Sequence, residues 1–313
     1  MLTGIRIARY RGIREGEVDG FGRVNLFVGP NGSGKSTLLE AIFLGASGFP
    51  LFTFSPLSGG SLPLLALRHG ESSFPTAEIW YGKDSRQPIE IEYRIAGASS
   101  RTAVAVPSLR EGVLSAGCNN PFFERLRFLD VRVLLDASVE HRAWNDVLNG
   151  RFDKELVRTL NRVYSFSLEG FSYTPQTNAL KALFSDRSYA LSVDDLGAGM
   201  RIAFRLFISV LLARESAVLV EEFDGYQHVE TLPRFVQALL SLAAQVRCQL
   251  FLATHSLETV RAFVAEARKQ SSPADLKVFQ TALSADGKFR AAALSEEDAD
   301  TLLRGGFDLR RTA

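Results

Sequence analysis

Three short stretches hold residues that could handle a polyphosphate. The first is GPNGSGKST, made of Gly29, Pro30, Asn31, Gly32, Ser33, Gly34, Lys35, Ser36 and Thr37. It fits the pattern of spaced glycines closed by a lysine and a hydroxyl residue. Several backbone N–H groups must converge on phosphate oxygens, and a Cβ at the glycines would block that approach. Lys35 then reaches the outer phosphates, and the Ser36 hydroxyl is placed to ligate Mg²⁺. The second stretch is AVLVEEFDGYQH, four apolar residues ending in Glu221 and Glu222. The first carboxylate would hold the metal directly or through water, and the second would orient an attacking water. The third is QLFLATHSLE, which delivers Thr254, His255 and Ser256 to the end of a buried run. From there His255 can hydrogen-bond a terminal phosphate or the attacking water.

A fourth segment, Asp194 to Arg201, reads DDLGAGMR. Its two glycines precede a helical pattern. It is either an ordinary helix start or a second helix N-terminus presented to an anion.

These stretches need elements to hold them. GIRIARY alternates as a strand, and RVNLFVG is an apolar strand that runs into the phosphate loop; LLEAIFLG follows as a helix. Between the two strands, RGIREGEVDGFG reads as a turn-rich connection with room for a short strand. Residues 45–75 read as irregular. AEIWYG, PIEIEYRI and TAVAV read as three strands of an antiparallel meander. In the second of these, Ile89, Ile91, Tyr93 and Ile95 share one face. Residues 121–164 read as mainly helical, with Phe152, Leu156, Leu160 and Val163 at helical spacing, and short strands are expected near FSLEGFSY and SYALSV. A helix over 198–213 follows. From there AVLV, LPRFVQALLSLAAQV, QLFLAT, LETVRAFVAEARK and LKVFQTAL alternate strand and helix, which implies a parallel sheet with crossover helices. A hairpin at Asp286-Gly287 and a short helix capped by Ser295 complete the pattern.

Composition narrows the field. The chain has 313 residues, of which 46% are hydrophobic and 23% charged, the balance of a soluble globular protein. No apolar run is long enough to span a bilayer, and the first residues lack a signal-peptide pattern, so a cytoplasmic protein with no membrane partner is expected. A net charge of +1 excludes a polycation built to coat nucleic acid. Two cysteines, Cys118 and Cys248, form neither a disulfide framework nor a zinc pattern.

Taken in order, the phosphate loop, Gly-rich segment, paired acids and histidine resemble the ABC-type ATPase heads. The opening RYRGI before the phosphate loop looks like the branch that holds RecF, SMC and the overcoming-lysogenization-defect proteins. The resemblance implies an α/β P-loop fold with a mixed central sheet, an antiparallel β-subdomain and a short helical subdomain in one ATPase domain. Residues 1–44 and 190–283 would form the nucleotide-binding core, 45–110 the irregular segment and meander, 111–189 the mainly helical subdomain, and 284–313 the final hairpin and helix. It also implies ATP and Mg²⁺ as cofactors, with Arg11 of the RYRGI motif near the nucleotide. Two copies would pair head-to-tail, so that Leu196, Gly197, Ala198, Gly199, Met200 and Arg201 of one cover the ATP on the other. The branch works in DNA repair or anti-phage defence. An effector or nuclease partner and DNA are therefore expected partners; the chain itself shows no nuclease signature.

Three departures stand out. The family's Leu-Ser-Gly-Gly-Gln signature reads Leu196-Gly197-Ala198-Gly199-Met200, without the serine hydroxyl. The metal-holding acid is Glu221 rather than Asp. For the glutamine that usually reaches the metal, Gln87 is the candidate, and an ordinary turn residue is the other reading of it. An ATP-dependent assembly switch with little hydrolysis is therefore a second reading. The nucleotide-binding subunit of a transporter is a third, and the RYRGI start and altered signature argue against it.

Overall fold

The computed structural model describes residues 1–44, 52–53, 62–63, 79–97, 102–106, 120–130, 138–174, 179–269 and 275–311. Most of the expected irregular segment 45–75 lies outside the described residues.

The strands are β1 (Leu2–Tyr10), β2 (Ile13–Asp19), β3 (Val24–Val28), β4 (Phe52–Thr53), β5 (Leu62–Pro63), β6 (Ile89–Ile95), β7 (Thr102–Val106) and β8 (Arg127–Leu129). They continue as β9 (Leu168–Thr174), β10 (Ala179–Phe184), β11 (Leu191–Ser192), β12 (Ala217–Glu221), β13 (Gln249–Thr254), β14 (Leu276–Leu283) and β15 (Lys288–Ser295). The helices are α1 (Lys35–Phe43), α2 (Pro121–Glu124), α3 (Ser138–Asn149), α4 (Asp153–Tyr164), α5 (Ala198–Leu212), α6 (Leu232–Gln245), α7 (Leu257–Lys269) and α8 (Glu296–Arg304).

Ten strands form one mixed sheet in the order β7-β6-β1-β2-β15-β14-β3-β13-β12-β8. The half from β14 to β8 is parallel, and β7, β6, β1 and β2 form an antiparallel wing. The halves meet where β15 runs beside β2. The small sheet β11-β10-β9 and the pair β4-β5 stand apart.

Period-two alternation divides the core. Val24, Leu26 and Val28 of β3, Val218 and Val220 of β12, and Leu250 and Leu252 of β13 pack under α3 to α7. Phe27, Leu219 and Phe251 point to the other face, against Leu38, Leu39 and Ile42 of α1. There the Phe27 and Phe251 rings lie parallel, 6.4 Å apart, and Phe21 meets Phe251 edge-on at 5.2 Å. Each such ring contributes ~1.5–3 kcal/mol by leaving water. Central strands buried on both faces explain why the sequence runs there are continuously apolar.

Several expectations need correction. RGIREGEVDGFG holds a full seven-residue strand, β2, paired with β1 through the tight turn at Arg11-Gly12. Of AEIWYG, residues 79–82 are described and form no strand: Trp80 makes one bridge to Tyr10, and Tyr81–Lys83 form a 3-10 turn. PIEIEYRI becomes β6, with Ile89, Ile91 and Tyr93 buried, and pairs antiparallel with TAVAV (β7) as expected; β6 also pairs with β1, so both strands belong to the main sheet. The stretch read as mainly helical contains β8, which pairs parallel with β12; β9 falls at FSLEGFSY as expected, and β10 beside it is an additional strand. A three-residue strand is too short to show a period.

Among the described residues, no helix is long and apolar enough to cross a membrane.

Candidate functional site

The carboxyl ends of β3, β12 and β13 lie side by side, because β13 pairs in parallel with both neighbours. Each strand hands its next residues to one edge, the place where ligands bind in open α/β sheets. A cleft of about 310 Å³ opens there. Asn31 to Thr37 form one wall, and Glu221, Glu222, Thr254 and His255 form the other. Three sequence stretches are thus brought into one site.

The loop shape depends on its glycines. Gly34 has φ of +88°, and a Cβ there would meet the Phe289 ring at 2.8 Å. A Cβ on Gly29 would lie 2.5 Å from Thr281 Oγ1. Ser33 Oγ and Thr281 Oγ1 are 2.8 Å apart, which ties the loop to β14. No side chain caps α1, and no acid sits in its first turn, so its N-terminal N–H groups remain for an anion.

Lys35 Nζ donates to the Gly29 carbonyl at 2.8 Å and the Pro30 carbonyl at 2.9 Å. Burial pushes its pKa below the usual lysine value, while Glu222 and Glu221 pull the other way. The lysine is therefore bent over its own loop, within electrostatic reach of both acids.

Glu221 is buried at the end of β12, and Glu222 is exposed beside it. Glu222 has φ of +49°, and its N–H donates to the Ala253 carbonyl at 3.2 Å. A non-glycine residue in the left-handed region costs ~1–3 kcal/mol and clusters at functional sites. His255 is exposed at the mouth of the cleft. Ser36 and the two glutamates offer oxygen ligands only, the hard donor set that suits Mg²⁺. Among the described residues there is no group of three or more His, Cys, Asp or Glu that could hold a metal alone. Nucleotide phosphates would have to complete such a site.

Asp224 carries a role that the motif reading missed. Its Oδ2 accepts from Thr254 Oγ1 and, at 2.6 Å, from Thr259 Oγ1. Thr254 Oγ1 in turn accepts from Ser256 N at 2.9 Å. The loop after the acids is thereby bolted to the segment that carries His255. The only sequence signal was an acid two residues past the pair.

Other expected residues lie elsewhere. Arg11 pairs with Glu40, which is fully buried on α1, and Tyr10 Oη donates to the same carboxylate at 3.2 Å. Burial opposes the charge on Arg11, but Glu40, Tyr10 and Glu221 outweigh it and hold the guanidinium above its ordinary pKa. Arg11 thus braces α1 from outside the cleft wall. Gln87 is exposed in the bend before β6 and does not line the cleft. Leu196 to Met200 line a different cavity of about 450 Å³, with Tyr164, Phe166, Tyr226 and Gln227. Arg201 sits half-buried in the first turn of α5 and lines neither.

Comparison with known proteins finds similar sequences and a similar fold. Residues 5–104 match the model of an AAA domain family, and residues 122–261 match one described as an AAA domain, putative AbiEii toxin, Type IV TA system. The DNA replication and repair protein RecF of Bacteroides thetaiotaomicron is 25% identical over 170 residues, covering 52% of this chain and 42% of that protein. An ATP/GTP phosphatase of Helicobacter pylori is 17% identical over 89% of this chain and 92% of its own length. The SMC head domain of Pyrococcus furiosus, solved with an extended coiled coil and bound to the C-terminal domain of ScpA, superposes with a TM-score of 0.55. That match is 11% identical and covers 97% of this chain and 98% of the other. With the phosphate loop, acid pair and histidine on one edge of this sheet, the chain has the fold of a P-loop ATPase head and resembles SMC heads and RecF-like proteins.

Proposed function

We propose that this head binds ATP with Mg²⁺ on Gly29 to Thr37, pairs head-to-tail with a second copy around it, and hydrolyses it. The observation that carries this reading is the split between the two cavities. The cleft holds the phosphate loop, Glu221, Glu222 and His255, whereas Leu196 to Met200 line a separate cavity. A single chain therefore presents both halves of a site but does not join them.

In this reading Lys35 binds the outer phosphates, and Ser36 and Glu221 hold the metal, which neutralises phosphate charge. Glu222 orients the attacking water and accepts its proton, and His255 hydrogen-bonds the terminal phosphate. The names of the matched proteins favour a role in DNA repair, DNA maintenance or anti-phage defence. The pair would control a separate effector or nuclease, and DNA is a further candidate partner. An assembly switch with slow turnover is a second reading, favoured by Ala198 in place of the signature serine.

ATP binding and phosphate release by wild type and Lys35→Ala test the proposal. Wild type should bind ATP and release phosphate, and Lys35→Ala should lose both while remaining folded. Equal ATP affinity in the two chains would contradict the assignment. ATP-driven pairing with phosphate release at background would leave the assembly switch as the function.

A further inference from the structure

The segment Leu196 to Met200 lacks a serine hydroxyl, so its backbone must do the work in any contact with a second copy. We propose that Tyr164 and Gln227 are positioning residues that hold this segment in the shape that meets the partner's ATP. The inference rests on the head-to-tail reading above.

The contacts form a closed triangle. Gln227 Nε2 donates to the Gly199 carbonyl at 2.9 Å. Tyr164 Oη lies 3.0 Å from that same carbonyl oxygen and 2.9 Å from Gln227 Oε1, within donating distance of both. Burial raises the Tyr164 pKa, so the phenol keeps its proton. The three corners come from three parts of the chain: Tyr164 ends α4, Gly199 opens α5, and Gln227 lies in the loop after the acid pair.

Gly199 shows how close the packing is. A Cβ there would sit 2.5 Å from the Tyr226 carbonyl oxygen, a backbone atom that cannot swing aside. The segment is also held at its other end. Arg205, fully buried in α5, reaches Asp194 Oδ1 at 3.1 Å. Between these anchors no side chain caps α5, and the first-turn N–H groups have no intrahelical acceptor. Two anchors thus fix the direction of those N–H groups, which costs no reorganisation when charge arrives.

The triangle is built within one chain but serves the neighbour's nucleotide. A mixture of two defective chains reads this directly. One carries Tyr164→Phe and Gln227→Leu, which remove the polar contacts and keep the bulk. The other carries Lys35→Ala. Each alone should release phosphate at less than a tenth of the wild-type rate. The Tyr164/Gln227 double variant should still bind ATP as a single head within about threefold of wild type. Mixed one to one, the double variant's phosphate loop meets the intact segment of the Lys35→Ala chain. Activity should return to roughly a quarter of wild type, because half the pairs are mixed and each has one complete site. A mixture no more active than the sum of its parts overturns the inference, as does loss of ATP binding by the double variant alone. Wild type that neither pairs nor turns over ATP removes the head-to-tail reading itself, and this inference with it.

Discussion

In the proposed reading single side chains carry the chemistry, and each has a measurable signature. Lys35 is bent onto the Gly29 and Pro30 carbonyls, poised to exchange them for phosphate oxygens. Lys35→Ala should weaken ATP binding at least ~100-fold, or about 2.7 kcal/mol by calorimetry. Glu222 is held at left-handed φ by the strand end, which fixes the direction of its Cα–Cβ bond. Glu222→Gln keeps the shape and removes the proposed base, and should slow phosphate release by roughly 10²–10⁴-fold with ATP binding intact. Unchanged turnover would move the base elsewhere. Cys248 offers a pH test away from the site. Burial pushes its thiol up to about 12, against the weaker pull of Arg127. Below that pH the reactive thiolate is scarce. In a Cys118→Ser chain, Cys248 should resist iodoacetamide from pH 7 to 9 and react only in denaturant. The motif residues were legible in the sequence because each is fixed by type and spacing. Asp224, Thr281 and Phe289 were not, since they act through contacts made only after folding.

At the scale of elements, the sequence was clearest where local signals agree. The final helix is one case. Ser295 Oγ accepts from Asp298 N at 3.1 Å, and Asp298 Oδ2 accepts from Ser295 N at 3.2 Å, a full capping box. Ser295→Ala should cost ~1 kcal/mol, lowering Tm by roughly 2 °C in a thermal melt. No shift would mean that the cap is redundant with packing of Ala299 and Leu303. The parallel strands β12, β13 and β14 were readable for a similar reason, being apolar runs set between helical patterns. β2 was obscured because its pattern is polar on a half-exposed wing, where Glu15 and Glu17 alternate with Gly16 and Val18. The described part of AEIWYG, residues 79–82, misled in the opposite direction. Trp80 and Ile79 are buried by tertiary contact with the β1 turn rather than by a strand ladder. β8 owes its existence to β12 beside it, and no three-residue window could reveal that.

For the whole molecule, the resemblance anticipated the mixed sheet, and the structure adds how the two cavities are linked. The cleft with Glu221, Glu222 and His255 and the cavity with Leu196 to Met200 are separated by the loop that follows the acids. Asp224 ties that loop to the cleft side, and Gln227 ties it to the other side. Gln87 stands outside both cavities, so the antiparallel wing supplies no side chain to the cleft through that residue. In the proposed reading the head works as half of a symmetric pair, with ATP as the shared filling between like surfaces. Molar mass in solution tests this most directly. Glu222→Gln protein with Mg²⁺ should run at 34.4 kDa without nucleotide and at twice that mass with ATP, measured by light scattering. The same mass with and without ATP, in a chain shown to bind it, would contradict the account.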